Sequence, residues 1–105
     1  MGQWIVVGKT ADTPPGSFFR FDTEEGLAIA VFNVRGQYYA IEDLCTHEDE
    51  ELTAGKFCGE EISCWRHGAR FNVKTGAALC APAYEPVATF PVRVTDGQIE
   101  VELPG

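Results

Sequence analysis

The sequence predicts an all-β fold, a small sandwich or barrel of short strands, and three observations carry that expectation. Apolar residues recur in runs of about four to eight, each bounded by turn residues. Eleven glycines and six prolines punctuate a chain of 105 residues. No segment shows an amphipathic helical stripe of about ten residues or more.

Taken in order, Trp4–Val7 reads as a first strand, and Thr13-Pro14-Pro15-Gly16 as a turn, because proline presets φ and glycine accepts positive φ. Leu27–Val34 and Gln37–Ile41 flank Arg35-Gly36, a tight hairpin signal. Glu61–Cys64 forms a short strand and Lys74-Thr75-Gly76 a turn. Phe90–Val94 and Gln98–Leu103 flank Asp96-Gly97, a stronger hairpin signal. Trp4, Phe18, Phe19, Phe21, Tyr38, Tyr39 and Phe90 are expected in the core or half-buried on strands.

The length suits one domain spanning 1–105. Its middle behaves differently from its ends. Residues 43–60 are polar and acidic, and Cys80–Pro86 is broken by prolines. Long loops inside a small domain tend to carry function, which directs attention to about 43–86. The net charge of −8 argues against nucleic acid and against anionic membrane surfaces, and favours a basic protein partner. No apolar run is long enough to span a bilayer, and the N-terminus has neither the basic nor the apolar stretch of a signal peptide, so a cytoplasmic location is expected. Four cysteines are too few for a stapled secreted scaffold.

Two pairs of residues stand out in the middle region: Cys45-Thr46-His47 and Cys64-Trp65-Arg66-His67, separated by residues 48–63. Each places one thiolate and one imidazole within a single loop turn. Thiolates hold soft metal centres, and neutral imidazoles suit iron, copper and zinc. The matched order lets two similar loops converge on a binuclear cluster, with both thiolates on one metal and both imidazoles on the other. A mixed Cys/His zinc site is the plainer alternative, although structural zinc sites usually pair like with like.

This arrangement resembles the Rieske family, whose pattern is CxH followed at a similar distance by CxxH. The resemblance continues through Gly68 and Phe71 to Ala81–Pro86, which is similar to the family's proline loop, and so covers 43–86. Within the family, the stretch Gly76–Pro82 and the chain length resemble the small ferredoxins of bacterial aromatic-ring-hydroxylating dioxygenases. The resemblance implies a small Rieske-type β-sandwich with two cluster-binding loops and a proline loop. It implies one [2Fe–2S] cluster held by Cys45, His47, Cys64 and His67, with the two histidines nearest the surface. It implies a soluble one-electron carrier, running from an NAD(P)H-dependent flavoprotein reductase to a terminal oxygenase, that catalyses nothing itself. A monomer is expected of a carrier that meets two partners in turn. The alternative is a Rieske-like small subunit of an NADH-dependent nitrite reductase.

Departures from the high-potential members of that family carry information. Glu50 and Arg66 stand where those members have disulfide cysteines. Ala69 and Phe71 stand where they have hydroxyl donors to the cluster sulfurs. Fewer such donors lower the potential, towards roughly −150 mV at the bottom of the Rieske range.

Outside the motif, Cys58 and Cys80 are expected as buried small hydrophobes, with a redox role as the alternative. His47-Glu48-Asp49-Glu50-Glu51 reads either as a solvated loop or as an anionic collar steering basic partners, extended by Glu42, Asp43, Glu60 and Glu61. Trp65 either packs over the cluster or touches a partner, and the value of dry surroundings favours packing. With both histidines used as ligands no imidazole is left for acid–base work, and no nucleophile elbow or phosphate-cradling loop is present.

Overall fold

The computed structural model describes residues 2–45, 51–64, 68–81 and 85–104. The strands are β1 (Gln3–Lys9), β2 (Phe18–Asp22), β3 (Ala28–Val34), β4 (Gln37–Glu42), β5 (Lys56–Cys58), β6 (Glu61–Ser63), β7 (Arg70–Asn72), β8 (Thr89–Phe90), β9 (Val92–Thr95) and β10 (Gln98–Leu103). Single 3-10 turns occupy Thr10–Asp12 and Leu52–Ala54. Among the described residues no helix is long and apolar enough to cross a membrane.

The strands form three antiparallel sheets, ordered β1-β10-β9, β2-β3-β4-β8 and β5-β6-β7. The second sheet is the middle layer. Successive side chains of a strand point to opposite faces, so a strand buried on both faces reads as a continuous apolar run. β3 is such a strand. Ile29 and Val31 pack with Ile99 and Val101 of β10, while Ala30, Phe32 and Val34 pack with Ile62, Phe71 and Val73 on the other side. The polar residue in this run, Asn33, is satisfied within the fold. Its side-chain amide donates to the Thr13 carbonyl at 2.8 Å and the Tyr38 hydroxyl at 3.1 Å, and its Oδ1 accepts from the Gly36 amide at 2.7 Å.

The predicted sandwich is therefore present, with a third sheet added by the middle of the chain. Glu61–Cys64 was the only strand expected there. β5 and β7, of three residues each, flank it. Phe57 turns inward from β5 and meets Phe32 at 4.8 Å and Phe18 at 6.2 Å between ring centroids. Phe18 is exposed, whereas the other strand aromatics expected inside are half-buried.

The Arg35-Gly36 hairpin forms as expected, with both residues at positive φ, 51° and 93°. The expected strand Phe90–Val94 does not run unbroken. Pro91 has no amide to donate to a ladder, and the chain changes sheets there. β8 pairs with Ala40 and Ile41 of β4, whereas β9 pairs with β10.

Candidate metal centre

The two cysteines of the motif sit at the ends of strands of different sheets. Cys45 follows β4 in the middle sheet and Cys64 follows β6 in the small sheet. Both are buried, with exposures of 1% and 2%, and both belong to one apolar cluster with Leu52, Ile62, Ala69, Phe71, Val73 and Val87. The structure thus places both motif cysteines in one buried apolar cluster. His47 and His67 lie outside the described residues, as do Trp65, Glu50 and Arg66.

Close approach of the backbone brings the two loops side by side. Gly55, at the exit of the first loop, lies so tightly against the carbonyl of Ser63 that a Cβ has no room there. Ser63 directly precedes Cys64, so the exit of one loop rests on the entrance of the other. The second loop is closed by its own backbone. The Cys64 amide donates to the Ala69 carbonyl at 2.6 Å, and the Gly68 amide to the Cys64 carbonyl at 3.1 Å. Gly68 takes φ +74°, a conformation that side chains disfavour.

The first loop is held differently. The Asp43 side chain is fully buried, and its oxygens accept from the Thr53 amide at 2.8 Å, the Thr53 hydroxyl at 2.6 Å and Arg20 Nε at 2.8 Å. Beyond β7, the base of the proline loop is pinned by the Val87 amide donating to Gly76 and the Leu79 amide donating to Arg70, each at 2.8 Å.

Three expectations about residues near this site are corrected. Cys58 is exposed, because inward-facing Phe57 places its β5 neighbours outward. Cys80 is half-exposed. Its thiol donates to the Gly68 carbonyl at 3.5 Å. Hydrogen bonding from the Arg70 guanidinium favours the thiolate and holds this group below the usual cysteine value. The third correction concerns the collar. Asp43 is not a surface charge but a buried one paired with Arg20. Glu60 meets Asn72, Arg35 and Lys74, and Glu61 meets Arg70 at 3.2 Å. Of the collar residues described, only Glu51 is both exposed and on the first loop.

The donor chemistry suits an iron–sulfur centre. Two thiols occupy a dry apolar floor, and Ala69 and Phe71, both fully buried beside them, contribute no side-chain donor. Residues 3–91 match the Rieske [2Fe-2S] domain. The chain belongs to this family. As a Rieske protein it carries one [2Fe–2S] cluster. It is 43% identical over 101 residues to the 3-phenylpropionate/cinnamic acid dioxygenase ferredoxin subunit of Escherichia coli (strain K12), covering 95% of this chain and 93% of that one. Among solved structures, the Sphingomonas yanoikuyae B1 ferredoxin superposes with a TM-score of 0.89 at 33% identity, covering 97% of this Rieske chain and all of the other. A chain in the complex of reduced oxygenase and oxidized ferredoxin in carbazole 1,9a-dioxygenase gives 0.89 at 37% identity, covering 93% and 91%.

Proposed function

We propose that this chain carries single electrons from an NAD(P)H-dependent flavoprotein reductase to the terminal oxygenase of a multicomponent aromatic-ring-hydroxylating dioxygenase. Cys45, His47, Cys64 and His67 are the residues that would hold its cluster. The observation that carries the assignment is the burial of Cys45 and Cys64 in one apolar cluster, each on the loop that also bears a motif histidine. When bound, the cluster supplies reversible one-electron chemistry.

The residues of the chain do the rest. Leu52, Ile62 and Phe71 exclude water from around the two sulfurs. Ala69 and Phe71 offer no hydroxyl, which supports a potential low in the family's range. The similarity to dioxygenase ferredoxins along nearly their whole length supports a free carrier over a nitrite reductase subunit. Oxygenase and ferredoxin form a complex in carbazole 1,9a-dioxygenase, which supports the oxygenase as the electron's destination here.

Two measurements test the reading. Dithionite-reduced protein should give a rhombic EPR signal with low average g, together with about two irons per chain. NADH-driven turnover by such a reductase and oxygenase should depend on added chain. A colourless protein holding zinc would overturn the ligand assignment, and turnover independent of the chain would overturn the carrier role.

A further inference from the structure

Asp43 is the one carboxylate among the described residues whose side chain is both fully buried and set at the root of a motif loop. Burial of a charge is unfavourable unless the charge is paired and hydrogen-bonded, so three close donors converging on it call for a reason. The donors supply one. Asp43 lies two positions before Cys45, at the entrance of the first loop, and Thr53 lies at its exit, on the 3-10 turn Leu52–Ala54. Both carboxylate oxygens reach Thr53, one its backbone amide and the other its hydroxyl. Glu51, the residue that would ordinarily cap this turn, makes no side-chain cap. Asp43 thus satisfies from across the loop an amide that a helical start leaves without a partner. Arg20 completes the arrangement from β2. Its Nε donates to Asp43 and lies 3.7 Å from Glu51 Oε2, so one guanidinium faces both ends of the loop.

We propose that Asp43 and Thr53, steadied by Arg20, form a latch that ties the entrance of the first loop to its exit and fixes the position of Cys45. The proposal rests on the assignment of Cys45 as a ligand. Asp43 and Thr53 are positioning residues: neither is a ligand, and both act through the loop they clamp. Closing a loop has an entropic cost that must otherwise be met when the cluster binds. A latch that meets it during folding leaves the ligands less free to depart one at a time. Loosening the latch should therefore speed cluster loss more than it weakens the surrounding sheets.

The test compares holoproteins of the parent, Thr53→Val and Thr53→Ser. Valine keeps the shape and the backbone amide and removes only the hydroxyl donor, so the fold should survive. Release of iron to a chelator should be severalfold faster in Thr53→Val than in the parent. Its reduced EPR lines should broaden as the ligand geometry becomes less uniform. Thr53→Ser, which restores the donor, should return both readouts to the parent's. Unchanged release and line shape in Thr53→Val would overturn the latch, as would a Thr53→Ser variant no better than Thr53→Val. A parent protein lacking the rhombic signal would instead overturn the ligand assignment, which separates the two failures.

Discussion

The two cysteine loops of this protein are built to the same end by different means. The second is closed by its own backbone, with Cys64 and Ala69 joined amide to carbonyl and Gly68 supplying the reversed turn. The first is longer and is closed by a buried side chain, with Asp43 gripping Thr53 across it. Backbone closure tolerates many side chains but depends on a conformation. Side-chain closure tolerates many conformations along the loop but depends on two residues. The vulnerable position of each loop follows from this difference.

Removing the grip of the first loop should have the largest effect. Asp43→Ala leaves the Thr53 amide without its acceptor and Arg20 with only Asp22 and Glu51. It should lower folding stability by about 2–3 kcal/mol, chiefly the cost of donors at the loop exit left without an acceptor, since Arg20 keeps a third of its side chain in water. Denaturant unfolding of parent and variant measures it, and a loss no greater than that of a surface pair would place the carboxylate outside the load of the fold. For the second loop the matching change is Gly68→Ala. Among the described residues nothing lies within contact of the added methyl, so the expected cost is conformational, about 1–2 kcal/mol at this positive φ. A neutral result would mean that the loop opens without cost and that its closure is not conformational.

The smallest effect compares a buried carboxylate with a half-buried one. Glu60 lies below its ordinary value of 4.5, first because the Asn72 amide donates to it and then because Lys74 and Arg35 lie near, against some burial. On acidification the unfolded chain takes up the proton first. The stabilisation from Glu60 is therefore complete above 4.5 and fades as pH falls below that value. In Glu60→Gln the stability difference from the parent should be slight at neutral pH and should shrink on acidification. A difference that stays constant across that range would show that this carboxylate is not linked to folding. Exposed pairs of this kind contribute little, and the contrast with Asp43→Ala measures what burial adds.

How much of this was legible in the sequence depends on the range of the interaction. The cysteine spacing and the hairpins at Arg35-Gly36 and Asp96-Gly97 are local signals, and the structure keeps them. Residue type alone points Cys58 inward, and β5 is too short for an alternation to show that Phe57 takes that place instead. The break at Pro91 was written in the chain, since a proline inside an apolar run marks a change of partner. In the sequence Asp43 reads as one more surface acid, because nothing nearby marks it as different. Its partners Arg20 and Thr53 lie 23 and 10 residues away. Only the fold brings them to it.

The pairing of β1 with β10 sets Gln3 directly opposite Leu103, so the first and last strands meet at the same end of one outer sheet. The chain is close to a closed ring. A short peptide joining its ends should permit circular permutation, with new ends opened at the exposed Glu24–Gly26 turn. The middle sheet stands between that outer layer and the cysteine loops.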